Sequence, residues 1–382
     1  MFNDLYFLVL SFELALYLLF WLTVCCVQVK HKKDSAYLLF KSFLPLTMVL
    51  FSGVLLLSAS AGSTHLDSIH HYLSKIGQAN GSLLDHSVPA LGIVLIVTGI
   101  AFRMGTIPVN FRISVLLNEM PYWLSTLSAL ISVCAGSIFL ILFVNQIAVI
   151  SFGYTEQILF FIALIVLASS AGLLLIEKKL KVTLVLLITQ LMGIFFAQLS
   201  ATCWKWRHES FGGESISILE MMKAFSPELL ISFLAVLGLA CLLDSLGDRQ
   251  SEIAYQDQLQ GLISDQRLLG TVAVVLLATL MGFPGLSVFR MKWQTLLSLF
   301  EIHQTSSAGM MATVHSGFIG LAVMMVISST IVLFVCARLL IQICFAKPLT
   351  RYRHITHKRM AFICYVCVIG TLIFNLGMIV NL

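Results

Sequence analysis

Long apolar runs separated by short polar segments dominate the pattern of the 382 residues. A helix needs about 20 apolar residues to cross the hydrocarbon core of a bilayer. Runs that reach or approach this length lie at 5–29, 37–61, 88–106, 122–147, 156–176, 182–203, 228–247, 267–300, 312–346 and 360–381. The pattern predicts an all-α polytopic membrane protein of about ten transmembrane helices, with residues 1–382 forming a single transmembrane domain.

The eighth run is interrupted near its middle. Gly282, Pro284 and Gly285 lie together there, and Lys292 follows two turns later. Proline removes a backbone donor and clashes with the preceding turn. Irregular backbone inside a membrane is tolerated where the freed groups face protein or a water-filled cavity, and such breaks are frequent in transporters. Two interpretations stay open at this stage: a broken helix at a functional site, or a proline kink that serves packing.

Composition excludes a soluble protein. Hydrophobic residues make up 59% of the chain and charged residues only 11%, and the mean hydropathy is +0.98. Soluble domains carry roughly a quarter charged residues. The net charge of +5 does not indicate nucleic-acid binding, because the basic residues sit in short loops between apolar runs, where they report topology.

The basic loops all fall on one face when ten spans are counted. Lysine and arginine cluster at 30–33, at 112, at 178–181, at 249–267 and at 347–359. Short cytoplasmic loops are enriched in these residues. We therefore predict a multi-pass protein of the bacterial inner (cytoplasmic) membrane, with the basic loops in the cytoplasm and both termini on the opposite side.

Few ionisable residues interrupt the apolar runs. Glu13 lies in the first, Lys41 in the second, Arg103 in the third and Lys292 beyond the break. A glutamate in hydrocarbon must pair with a cation or hold its proton, and Arg103 and Lys41 are the candidate partners. A carboxylate beside a cation can pass protons laterally, because the occupancy of one site alters its neighbour. The alternatives are a static packing hydrogen bond at Glu13 and a Lys41 side chain that reaches the interface.

Two segments between runs are longer, 62–87 and 204–227. The first holds four histidines, which either bind a metal or are solvated, and their spacing matches no compact metal motif. The second contains an amphipathic stretch at 214–225, predicted to lie on the membrane surface or against a neighbouring subunit. Neither segment indicates an active site of its own, and we predict no catalytic residue and no metal site.

Several motifs, in order along the chain, resemble one known family. GIAFRMGTIPVNFR (99–112) is similar to G-x-x-F-K-x-x-x-x-P-F-H-x-W, and LMGFPGLSVFRMKW (280–293) is similar to L-x-G-I-P-P-x-x-G-F-x-x-K-F. YLLFKSF (37–43), KVTLVLLITQLMG (181–193) and SSTIVLFVCARLL (328–340) follow the family's pattern as well. The family is that of the antiporter-like membrane subunits, including subunit N of NADH-quinone oxidoreductase (respiratory complex I), which are related to Mrp-type antiporters.

The resemblance implies a fold and a function. The family fold has fourteen helices with two inverted five-helix repeats, and the ten runs correspond to the last ten, so the leading four helices are expected to be absent. The implied role is proton translocation coupled to quinone reduction within a complex I-like assembly. NADH and quinone would be used by the assembly, and no cofactor would be bound by this subunit. Its partners would be other membrane subunits and the lipid bilayer, without nucleic acid.

The resemblance also assigns residues and shows departures. Glu13 matches the family's essential buried glutamate, Arg103 stands in place of its partner lysine, and Lys41 and Lys292 match family lysines. A further family lysine falls near Val133, yet residues 121–150 contain no charged residue. Two alternatives therefore stay open: a non-conducting structural or assembly subunit of the same complex, and an Mrp-like cation/proton antiporter.

Overall fold

A computed structural model describes residues 4–26, 32–78, 83–105, 121–148, 154–209, 226–246, 255–306, 312–346 and 358–380. This part of the chain is helical and contains no β-strand, only two isolated bridges. The α-helices are α1 (Leu5–Cys26), α2 (Lys32–Ala61), α3 (Leu66–Gln78), α4 (Leu83–Arg103), α5 (Tyr122–Phe143), α6 (Tyr154–Ile176), α7 (Leu180–Glu209), α8 (Ser226–Leu246), α9 (Leu262–Asp265), α10 (Arg267–Met281), α11 (Ser287–Ser306), α12 (Ala312–Phe345) and α13 (Lys358–Val380).

The helices confirm the all-α, multi-pass prediction. Each predicted apolar run coincides with one helix, except that the eighth run is divided between α10 and α11. Within the described ranges, seven helices are long and apolar enough to cross a membrane, and the apolar parts of α1, α4 and α10 are shorter. Helices suit this environment because they satisfy their own backbone hydrogen bonds where no water is present.

Helix α7 lies at the centre of the bundle. Its apolar stretch is 89% buried, whereas the stretches in α2 and α13 are 28% and 33% buried. Helices α5, α6, α8, α11 and α12 all contact α7, while α13 packs mainly on α8. The peripheral helices expose large apolar side chains such as Phe334 and Phe362, and these form the expected lipid-facing surface.

Small residues let α2 and α4 approach closely. A Cβ atom placed on Gly53 would lie 2.8 Å from the backbone oxygen of Gly92 and 2.9 Å from a side-chain atom of Ile96. Membrane helices use glycine in this way because van der Waals contact between backbones, rather than the hydrophobic effect, drives their association. The close crossing fixes the position of α2 against α4 and therefore the relative positions of the polar residues that both helices carry.

Replacing Gly53 by alanine is expected to destabilise the protein by about 1–3 kcal/mol, the usual cost of overpacking a tight contact. The purified chain should therefore unfold at a lower temperature in detergent. Gly172 on α6 is the matched control, because a Cβ there meets no atom of the described part of the chain within 4 Å. Gly172→Ala should raise stability slightly, since alanine is the better helix former by about 1 kcal/mol. An equal loss in both variants would contradict the close crossing.

The helix break is a true end and restart rather than a kink. Gly282 adopts a left-handed conformation with φ of 81°. The N–H of Phe283 bonds the carbonyl of Ala278 at 3.2 Å, and the N–H of Gly282 bonds that of Thr279 at 3.2 Å. This is the Schellman arrangement that commonly ends helices. Gly285 also has a positive φ, of 92°, and α11 begins two residues later.

The segment between the second and third runs contains α3, which the apolar pattern did not predict. Leu66, Ile69 and Leu73 are buried at a spacing that places them on one helical face. The described histidines of this segment, at 65, 70 and 71, are exposed. A short amphipathic helix escapes a search for long apolar runs, because its polar face lowers its average hydropathy. Residues 214–225, the amphipathic stretch predicted to lie on the membrane surface or against a neighbouring subunit, lie outside the described residues.

Candidate functional site

A buried ion pair joins α1 to α4. The Nε of Arg103 donates a hydrogen bond to Oε1 of Glu13 at 2.9 Å, and its Nη2 pairs with Oε2 of the same carboxylate. Both residues are only 4% exposed. A guanidinium that meets a carboxylate with two parallel bonds forms one of the stronger hydrogen-bonded pairs in proteins. Of the two cations predicted as partners for Glu13, the structure brings Arg103 to it.

Two further side chains complete this cluster. Nη2 of Arg103 donates to Oγ1 of Thr47 at 2.6 Å, and the Thr47 hydroxyl donates to Oε2 of Glu13 at 3.2 Å. The hydroxyl of Tyr17 lies 3.2 Å from Thr47 Oγ1, and the Arg103 guanidinium carbon lies 5.6 Å from the centre of the Tyr17 ring. We call Glu13, Tyr17, Thr47 and Arg103 the glutamate cluster. It draws on α1, α2 and α4.

Lys41 lies on α2 at a position where the structure describes only the backbone. The predicted role of Lys41 depends on its side chain, which lies outside the described part of the structure. The two residues of the cluster that the sequence analysis missed, Tyr17 and Thr47, are uncharged. Tyr17 follows Glu13 by four residues, which places both on one face of a helix, and this spacing was the available signal.

Lys292 folds back across the helix break. Its Nζ lies 3.5 Å from the carbonyl oxygen of Met281, the last residue of α10. A Cβ on Gly282 would lie 3.3 Å from the same nitrogen, so glycine leaves the room that the ammonium group occupies. The carbonyl end of a helix carries a partial negative charge that favours a cation. The break thus supplies a polar setting for a half-buried lysine.

A neutral polar chain joins α6, α7 and α12. The hydroxyl of Ser170 on α6 donates to Oε1 of Gln190 at 2.6 Å, and Nε2 of Gln190 donates to the hydroxyl of Ser328 on α12 at 2.8 Å. All three residues are buried. Sequence reasoning missed this chain because its members carry no charge, although a glutamine inside the sixth apolar run was a visible signal.

Apolar residues of α5 and α7 lie in the same core as the neutral chain. Val133 on α5, near which the family lysine was expected, is fully buried. Leu186, Leu187 and Ile188 on α7 are buried too. The glutamate cluster, the neutral chain and Lys292 are thus accompanied by apolar residues of α5 and α7 in the same core. A proton moving from the glutamate cluster toward Lys292 would need water to bridge the groups.

Asp244 and Arg338 are two more charged residues of the apolar runs. Asp244 on α8 accepts hydrogen bonds from the N–H groups of Tyr122 and Trp123, at 2.9 and 2.5 Å. It thereby caps the first turn of α5 from a neighbouring helix, where a carboxylate is favoured by the helix dipole. Arg338 on α12 is exposed, as expected for a side chain that reaches the membrane interface.

A second buried glutamate was missed by the sequence analysis. Glu228 in the first turn of α8 is 2% exposed, and its Oε1 lies 3.6 Å from Nε of Arg290 on α11. Glu228 opens the seventh run and was not recognised as buried, because a charged residue at the end of a span normally reaches water. The packing of α11 against α8 brings Arg290 to this residue.

Comparison with known proteins gives one family match. The family profile described as "NADH:quinone oxidoreductase/Mrp antiporter, TM" matches residues 3–320. The matched range includes Glu13, Arg103 and Lys292, and it covers most of the chain. No curated protein sequence matches this chain.

Solved structures with the same fold come from several respiratory and antiporter complexes. A chain of the archaeal membrane-bound sulfane sulfur reductase has a TM-score of 0.73 at 13% identity, with 98% of this chain and 69% of that chain covered. A chain of respiratory complex I from Thermus thermophilus has a TM-score of 0.67 at 16% identity, with coverages of 98% and 73%. A chain of the Mrp complex from Dietzia sp. DQ12-45-1b has a TM-score of 0.73 at 14% identity, with coverages of 99% and 72%. Identities this low establish the fold alone.

Proposed function

Since the chain belongs to the NADH:quinone oxidoreductase/Mrp antiporter family of transmembrane proteins, we propose that it is an N-type membrane subunit of a complex I-like assembly. Its role there is to contribute to proton translocation coupled to quinone reduction. NADH and quinone are handled by other subunits, and this chain binds neither. The fold neighbours belong to multi-subunit membrane complexes, which supports a role within an assembly.

The buried Glu13–Arg103 pair carries this proposal. A carboxylate and a guanidinium removed from water lose several kcal/mol of solvation each, so a membrane helix holds them only where packing and hydrogen bonds compensate. Ionisable residues inside spans commonly mark ion pathways. Arginine keeps its proton at all accessible pH values. Glu13 is therefore the member of the pair that can gain and lose a proton.

The same proposal includes an orientation. The charge asymmetry of the loops supports a bacterial inner membrane protein with cytoplasmic basic loops and both termini on the opposite side. In that orientation the start of α8, with Glu228, lies toward the outer face, and Asp244 lies toward the cytoplasm.

Two other functions have specific support. A non-conducting structural subunit is favoured by the apolar surroundings of Val133, where the family carries a lysine. An Mrp-like cation/proton antiporter is favoured by the structural similarity to a chain of the Mrp complex. These candidate functions differ in the proteins that the chain binds or in the proton flux that it supports. Both the binding partners and the proton flux therefore need to be measured.

Purification of the tagged full-length chain in mild detergent, with mass spectrometry of the co-purifying proteins, tests the assembly. We expect the membrane and peripheral subunits of a quinone-reducing oxidoreductase. Recovery of Mrp-type subunits in their place would establish the antiporter alternative. A chain purified without any partner would contradict both assembly proposals. The matched control is a tagged unrelated membrane protein of similar size, which separates specific partners from proteins trapped in detergent micelles.

A further inference from the structure

Three buried polar atoms near the helix break have no hydrogen-bond partner among the described residues. They are Oε2 of Glu228 on α8, Oγ of Ser287 on α11 and Nδ2 of Asn375 on α13. Their residues are 2%, 2% and 4% exposed, respectively. A buried donor or acceptor left unsatisfied costs about 1–3 kcal/mol. Three unsatisfied polar atoms on neighbouring helices indicate that a bound molecule supplies their hydrogen bonds.

Direct contacts join these residues to the first turn of α11. The N–H of Ser287 donates to Oδ1 of Asn375 at 2.9 Å, which fixes the amide so that Nδ2 remains a free donor. Arg290 lies three residues beyond Ser287, hence on the same helical face, and approaches Glu228 at 3.6 Å. Both Asn375 and Glu228 thus face the start of α11.

The packing of α8 on α13 places Glu228 and Asn375 at one level. A Cβ on Gly238 would lie 3.0 Å from Cβ of Cys367, and a Cβ on Gly370 would lie 3.3 Å from Cδ2 of Leu234. The two helices are therefore antiparallel. Continuing this register by about one turn brings Asn375 beside residues 229–230, less than one turn from Glu228.

The chemistry of the unpartnered atoms fits water. One is a donor, one is an acceptor and one is a hydroxyl that can do either. A buried water makes about three hydrogen bonds and resides where polar groups lack other partners. A bare metal cation fits poorly, because an amide N–H and the guanidinium of Arg290 face the same space. The ammonium group of Lys292 approaches the Met281 carbonyl.

We propose that Glu228, Ser287, Arg290 and Asn375 form a water-filled pocket, the break pocket, in which Glu228 exchanges protons with bound water. On uptake, a proton passes from a pocket hydronium to Oε2 of Glu228, and on release it returns to water. Of the described charged side chains on helices that pack against α8, Arg290 is the one in ion-pair contact with Glu228. The physiological role of the pocket rests on the proposed function: it receives protons from the Lys292 side of the break and releases them outward.

Infrared difference spectroscopy of the purified full-length chain in lipid nanodiscs tests this pocket. Acidification should produce a carbonyl band of a protonated carboxylic acid, and Glu228→Gln should remove that band. Glu13→Gln should retain it, which separates Glu228 from the glutamate cluster. Transfer to D₂O should shift the band rapidly, because water reaches the carboxyl group.

Asn375→Leu fills the pocket and removes its donor, so it should slow the isotope shift at least tenfold. Ser287→Val provides the same test if Asn375→Leu does not fold. A spectrum without a band sensitive to Glu228→Gln would overturn proton uptake at Glu228. A band that is lost in Glu228→Gln but does not shift in D₂O in the wild type would overturn the pocket water. These measurements need no partner, so they fail or succeed independently of the co-purification result.

Discussion

Replacing Glu13 by glutamine is expected to reduce proton translocation at least tenfold while leaving assembly intact. Glutamine keeps the Oε1 acceptor that Nε of Arg103 uses, and the guanidinium keeps Thr47 and the Tyr17 ring as neighbours. The substitution removes the negative charge that pairs with Arg103 and, with it, the ability of the side chain to bind and release a proton. The assembly that co-purifies with the tagged chain, reconstituted in proteoliposomes with a pH-sensitive dye, gives the measurement.

Glu156→Gln is the matched control for this result. Glu156 is also buried, at 5% exposure, and lies in the first turn of α6, outside the glutamate cluster. We expect this variant to translocate protons at close to the wild-type rate. Unchanged translocation in Glu13→Gln, with correct assembly, would favour the structural-subunit alternative. Equal losses in both variants would show only that a buried carboxylate matters for folding.

The sequence was sufficient for the helices that coincide with apolar runs and for naming Arg103 among the candidate partners of Glu13. Apolar runs report membrane spans because lipid demands a continuous hydrocarbon surface, and Gly282 and Pro284 report the break because both residues change backbone geometry. Glu13 and Arg103 were recognisable as partners because a charge in hydrocarbon requires compensation. These are local rules, and they apply before the chain is folded.

Neutral polar contacts could not be predicted in the same way. Thr47, Gln190 and Asn375 carry no charge, and whether each bonds another helix or its own backbone depends on rotation and register. Those quantities are set by packing contacts such as Gly53 on Gly92 and Gly238 on Cys367. Glu228 illustrates the same limit, since its burial depends on where α11 restarts after the break.

Replacing Arg103 by methionine is expected to destabilise the chain by about 3–5 kcal/mol, the usual cost of removing one partner from a buried ion pair. Methionine is close to arginine in length but leaves the Glu13 carboxylate uncompensated between α1 and α4. Thermal unfolding of the purified chain in detergent measures the loss. Lys205→Met is the matched control, because Lys205 pairs with a largely exposed carboxylate, that of Glu301. Exposed pairs contribute about 0–1 kcal/mol.

The double variant Glu13→Gln/Arg103→Met separates the charge from the packing. Exchanging both members of a buried pair for neutral residues of similar volume is often close to neutral for stability. We therefore expect the double variant to regain most of the stability that Arg103→Met loses, and the non-additivity to measure the coupling within the pair. A double variant less stable than Arg103→Met would mean that Glu13 is compensated chiefly by Thr47 instead. If the double variant recovers its stability but does not translocate protons, the Glu13–Arg103 pair serves transport, since folding does not require it.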